Sequence, residues 1–183
     1  MSYGIPTNEL TLTAMANYKI KAREAGIARA LDLGVARVRE ELVYREAHPG
    51  LDFAAAYTAT VENYITAVLV AGWQLVGSTG LAAVLPVGTV AVFYKIMDWQ
   101  AAPGPDVTAV RFRVGATGAS TRASFMIQQF INVKLEPEIW LSEPVVYDPQ
   151  DTLFIQCYAA AGGATEDLGF GCFIVERTGA TIS

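Results

Sequence analysis

The sequence predicts an α+β chain: an N-terminal helical hairpin followed by an antiparallel β-sandwich of jelly-roll-like size. Three observations carry this. From Thr11 to Val70 there are only three glycines (Gly26, Gly34, Gly50) and one proline (Pro49). Alanine, Glu and Arg dominate that stretch, which is helix chemistry. From about Gly72 onward, short Val-, Ile-, Phe- and Tyr-rich runs alternate with turn residues. The expected division is residues 1–71 as a helical docking or oligomerisation region and 72–183 as the sandwich.

In the first region, Ile20, Ile27, Leu31, Val38 and Leu42 recur at steps of seven, four, seven and four, which places them along one side of a helix. "HPGLD" breaks the pattern at Pro49 and Gly50, and Asp52 is suited to cap a second helix. That second helix is expected to set Phe53, Tyr57, Val61, Ile65 and Val68 or Leu69 on one face. Gly26 and Gly34 are expected to weaken or bend the first helix. The candidate interface residues are Ile20, Ile27, Leu31, Val38 and Leu42 on the helical stripe, with Trp73 at the start of the β region.

The second region contains "TVAVFYKIMDW", "TAVRFRVGA", "ASFMIQQF", "EPVVYDP", "DTLFIQCYA" and "LGFGCFIVER". Between them lie "LPVG", "QAAPGPD", "GATGAST", "YDPQD" and "AAGGATED". Strands separated by turn signals at near-regular intervals predict a sandwich or small barrel, and the number of runs fits a jelly roll. In "TAVRFRVGA", Val110, Phe112 and Val114 alternate with Arg111 and Arg113, so one face is core and the other wet. Leu153, Ile155 and Cys157 alternate in the same way with Phe154, Gln156 and Tyr158.

Of 183 residues, 52% are apolar and only 17% charged, and the net charge is −5. A surface poor in charge is expected to be partly covered by other subunits. The acidic balance points away from a nucleic-acid coat, which needs clustered Lys and Arg. The start, "MSYGIPTNEL", lacks the basic and apolar segments of a secretory signal. No apolar run reaches the ~18 residues of a membrane span, and folding in the cytosol is expected.

The stretch "EPVVYDPQDTLFIQCYA" gathers Glu143, Asp148 and Asp151 near a proline. Calcium would require six to eight oxygens and a suitable loop spacing, whereas Asp before Pro is turn chemistry. The acids are therefore expected to shape a corner, and replacing Asp148 and Asp151 with Asn to cost within about 1 kcal/mol. His48, the sole histidine, sits beside Pro49 at the helix break and is expected to be a solvated loop residue. No serine has a GxSxG surround, and two cysteines with one histidine do not make a zinc set. The glycines of "VGATGAS" suit a hairpin turn better than a phosphate loop. No catalytic residue, metal or cofactor is expected.

Cys157 and Cys172 would face each other if residues 152–160 and 169–177 paired as a hairpin; thiols are expected, because opposed strand positions strain a disulfide. Trp73, Trp99 and Trp140 lie at the edges of β-runs, where a glycan-binding sandwich would place stacking platforms, although core or interface is the commoner role.

The segment from Leu81 to Gly179 resembles the small β-sandwich domains of tailed-phage virion proteins, the capsid decoration or cement proteins and head-fibre bases. The resemblance lies in "LPVGTVAVFYKI", "VRFRVGATGAST" and "EPVVYDPQDTLFIQCYA" leading into "GFGCFIVE". It implies a jelly-roll-like sandwich, often trimeric, bound to a major capsid protein or another virion component, without enzymatic activity. The helical first third departs from that pattern. A carbohydrate- or receptor-binding module of a tail or secreted protein is the alternative.

Overall fold

Thr11 opens the one α-helix among the described residues, α1 (Leu12–Asp32), by accepting the Ala14 amide on its hydroxyl at 3.1 Å. Gly34 ends it. At φ +71° this glycine sits in the left-handed region, and its amide reaches the Leu31 carbonyl while the Val35 amide reaches Ala30. Those two bonds satisfy the last carbonyls in a Schellman turn. The glycine expected to bend the helix thus terminates it, and Val38 and Leu42 fall outside. Val38 precedes a 3-10 turn (Arg39–Glu41), and Leu42 begins a strand.

In a computed structural model the described residues are 4–47, 64–68, 70–76, 84–98, 107–115, 120–126, 138–163 and 165–179. Ten strands are present among them: β1 (Gly4–Pro6), β2 (Leu42–Ala47), β3 (Tyr64–Val68), β4 (Gly72–Leu75), β5 (Thr89–Asp98), β6 (Val107–Val114), β7 (Ser120–Met126), β8 (Glu138–Tyr147), β9 (Leu153–Ala159) and β10 (Thr165–Arg177). Among the described residues the expected helical hairpin is not shown: one α-helix is present, and the end of the expected second helix is a strand. Ile65 and Val68 belong to β3, and Phe53, Tyr57, Val61 and Leu69 lie outside the described residues. Val43 and Tyr44 give β2 β-branched and aromatic character that the Glu- and Arg-rich surroundings conceal.

All pairings are antiparallel and form two sheets. Sheet A runs β1-β8-β5-β10-β2, with β3 pairing β10 as well, and sheet B runs β4-β9-β6-β7. β2 takes the Cys172–Arg177 half of β10 and β3 takes Thr165–Gly169. Four pairs are nested along the chain: β6 with β7, β5 with β8, β4 with β9 and β3 with β10. Successive pairs alternate between the two sheets.

The inner faces of the sheets form one core around Phe93, Phe112 and Phe170, all essentially inaccessible. Phe93 lies 5.4 Å from Phe112 and 6.0 Å from Phe170 between ring centroids, within the range of favourable aromatic pairs. Gly171 sits in mid-strand because a Cβ there would lie 2.7 Å from the Tyr94 ring. The expected alternations hold: Val110 and Phe112 are buried, and Leu153, Ile155 and Cys157 point inward. The sandwich is therefore present as expected, with a helix added as a third layer.

That helix lies on the outer face of sheet A. Ala22, Ile27 and Ala30 pack against Val90, Val92, Tyr94, Trp140, Phe173 and Val175. Small residues at 22, 26 and 30 share one helix face and let the backbone approach closely. Ile20, by contrast, is 47% exposed. Residues read as two regions thus share one buried layer, and β2 and β3 complete the sheet to which β5, β8 and β10 belong.

Candidate functional site

The corner that begins at Tyr147 is built from side chains distant in sequence. The Asp148 amide donates to Asp151 Oδ2 at 2.8 Å, and the Asp151 amide to the Asp148 carbonyl at 3.1 Å, so the turn chemistry is as expected. Asp148 does more. Arg29 of α1 grips both its carboxylate oxygens, Nε to Oδ1 and Nη2 to Oδ2, each at 2.8 Å. Arg122 of β7 reaches Asp151 Oδ2 at 2.6 Å, stands 3.7 Å from Asp148, and donates to the Val146 carbonyl. The corner therefore ties the helix layer to sheet B across the end of sheet A. The Arg29 guanidinium holds the Asp148 carboxyl below its ordinary range, against a smaller opposing effect of partial burial, and Arg122 adds to the depression.

Both carboxylates are directed at arginines, and no group of three or more potential metal ligands occurs among the described residues. Glu143 is exposed on β8 and joins neither arginine. The bidentate Arg29 pair raises the expected cost of Asn above the limit of about 1 kcal/mol for a simple turn. Bidentate charged pairs are stronger than ordinary surface pairs, so Asp148→Asn with Asp151→Asn should cost about 1–2 kcal/mol. Chemical denaturation would measure it, and wild-type melts with EDTA and with calcium should superimpose. Because the folded-state pKa of Asp148 is depressed, its contribution is present above the unfolded value of about 3.9. It is lost as pH falls through the folded value. Asp148→Asn should accordingly flatten the fall of melting temperature below about pH 4.

A second constellation occupies the outer face of sheet B. Across the strands, Trp73 pairs with Tyr158, and Gln156 lies between Leu75 and Arg111. Directly paired residues share a face. Arg111 stacks its guanidinium 3.9 Å from the Trp73 ring centroid and donates from Nε to Gln156 Oε1 at 2.7 Å. Arg113 reaches the same oxygen at 3.3 Å. Trp73 meets Tyr158 edge-to-face at 5.4 Å. Burial, and then repulsion from Arg113, lower the Arg111 pKa from its ordinary value. Arg113 Nε is buried without a hydrogen-bond partner among the described residues.

Among the described residues the two arginines have no carboxylate within 4.0 Å, whereas Arg23, Arg29, Arg39, Arg45, Arg122 and Arg177 each do. The "RFR" alternation marks Arg111 and Arg113 as outward-facing. Their company with Trp73 and Tyr158 depends on β9 lying between β4 and β6, which no local pattern carries.

The expected interface residues are dispersed. Ile27 is buried and Leu31 half-buried beneath α1, so both serve the helix–sheet layer. Ile20 and Val38 are exposed, Leu42 packs at the edge of sheet A, and Trp73 belongs to the sheet B face. Trp140 is buried and donates to the Thr7 hydroxyl at 3.1 Å, which removes it as a platform. Trp99 and His48 lie outside the described residues. Cys157 and Cys172 are both buried, and the hairpin that would oppose them does not form: β9 is in sheet B and β10 in sheet A. Among the described residues no helix is long and apolar enough to cross a membrane. No family model matches the chain, and no curated protein matches it.

Proposed function

We propose that the chain is a non-enzymatic structural protein of a virion, of the capsid decoration, cement or head-associated kind. It folds in the host cytoplasm and assembles through contacts with its own copies, a trimer being favoured, and with a major capsid protein or another virion component. It engages neither nucleic acid nor membrane. The observation that carries this is the nested pairing of eight strands. Pairs β3·β10, β4·β9, β5·β8 and β6·β7 alternating between two sheets are what an antiparallel ribbon produces when wound into a jelly roll. Viral capsid domains use that architecture repeatedly, as do lectins and cupins. Fold alone does not assign function; the likeness of Leu81–Gly179 to phage virion sandwiches, together with the low charge content, favours the structural class.

The second reading is a carbohydrate- or receptor-binding module, for which the exposed Trp73 is the relevant observation. Against it, Arg111 covers one face of that ring and Tyr158 stands edge-on. Mass spectrometry of purified particles should find the chain at a fixed copy ratio to the major coat protein. Its absence from particles, combined with saccharide-array binding by the isolated chain, would transfer the assignment to the second class.

A further inference from the structure

We infer that the outer face of sheet B, centred on Arg111, Arg113, Gln156, Trp73 and Tyr158, is a docking surface for a second copy of this chain, which brings a carboxylate onto the arginine pair. The inference rests on the oligomeric structural role proposed above and names the surface that serves it. Three properties of the face support it.

The first is composition. Exposed faces of antiparallel sheets are ordinarily polar, yet here Trp73, Tyr158 and Met126 are 38%, 37% and 55% exposed beside two arginines. Aromatic residues, Met and Arg are the side chains enriched where proteins bury surface against one another, while Lys and carboxylates are depleted there. The second is unmet electrostatics. Arg111 and Arg113 stand two residues apart on one strand and, among the described residues, share only a neutral acceptor, the Gln156 oxygen. The buried Nε of Arg113 has no acceptor among the described residues. A guanidinium partly removed from water without a counter-charge is costly, and an incoming carboxylate would take paired N–H donors.

The third is charge complementarity. The chain carries net charge −5 although this face is cationic, so another copy presents the excess of carboxylates that the arginine pair lacks. A two-fold pairing centred on the face would set arginine against arginine. The contact is therefore heterologous, cationic face to acidic surface, which builds a ring where its rotation closes rather than a two-fold dimer. The same geometry disfavours a saccharide, because the stacked Arg111 and the edge-on Tyr158 leave no coplanar aromatic platform.

Sedimentation of the full chain across a micromolar concentration range tests this. Wild type should assemble. Arg111→Glu with Arg113→Glu should weaken assembly by about 100-fold or more, and Trp73→Ser on the edge strand by about tenfold. Raising salt should weaken the wild type, while circular dichroism and melting report that each variant is folded. Should the charge-reversed pair fail to fold, Arg111→Gln with Trp73→Ser carries the same expectation. Assembly unchanged in the folded variants would overturn the docking face while leaving the virion assignment to be judged by particle content. A wild type that stays monomeric also overturns it. So does binding of a uronate tetrasaccharide that these variants abolish, which would give the face to an acidic glycan.

Discussion

Removing residues 1–41 should abolish cooperative folding of the remainder. The deletion takes away β1 and α1 and uncovers Val90, Val92, Tyr94, Trp140, Phe173 and Val175 on the outer face of sheet A. At about 1.5–3 kcal/mol for each large apolar side chain returned to water, the loss rivals the whole stability of an ordinary domain, about 5–15 kcal/mol. A chain starting at Gly72 fares worse, since β10 then loses β2 and β3 along its free edge. Circular dichroism with thermal melting should show a broad, non-cooperative transition or aggregation. A sharp melt near the wild-type temperature would establish instead that residues 72–183 are an autonomous sandwich on which the helix is an accessory.

Gly26→Leu should be the most damaging single substitution in the helix, costing about 3 kcal/mol. A Cβ at position 26 would stand 2.7 Å from Val92 Cγ2 and 2.9 Å from Val175 Cγ2. Both neighbours are β-branched strand residues with little rotamer freedom. Relief requires the helix to rise off the sheet, which opens gaps around Ala22 and Ala30. Gly26→Ala sets two effects against each other. Helix propensity favours Ala by about 1 kcal/mol, while the same Cβ contacts oppose it. A net loss of about 1 kcal/mol is expected, read from urea midpoints at unchanged slope. A stabilised Gly26→Ala would mean that the helix shifts outward freely and that the close approach is unimportant.

The strands of the second half were legible because their alternation is strict and their turns carry Gly, Pro or Asp. The first half misled because the largest side chains marked the wrong stripe. Ile20, Val38 and Leu42 suggested a long amphipathic face, whereas the buried face of α1 is made chiefly of Ala22, Gly26 and Ala30. Hydrophobic periodicity underweights small residues, whose role is to permit approach rather than to fill volume. Gly34 was noticed but read as a weak point; a glycine just past a helix's last periodic residue is equally a stop signal. Asp148 was read correctly as a turn residue, yet its pairing with Arg29 spans 119 positions. No local rule reaches so far, and the docking face on sheet B was hidden for the same reason.

The nested strand order also dictates a sequence of events in time. Among the described strands only β6 and β7 form a local hairpin; each further pair closes a longer loop, which forming the pair inside it shortens. The final strand, β10, occupies the middle of sheet A, flanked by β5 on one side and by β2 and β3 on the other. During synthesis those three strands leave the ribosome long before the partner they all require. Their donors and acceptors on the β10 side wait unpaired until residues 165–177 arrive, an interval in which a neighbouring nascent chain is a competing partner. Folding should therefore be slow and concentration-sensitive, and loss of residues 165–177 should be felt across the whole of sheet A, because β10 is its keystone.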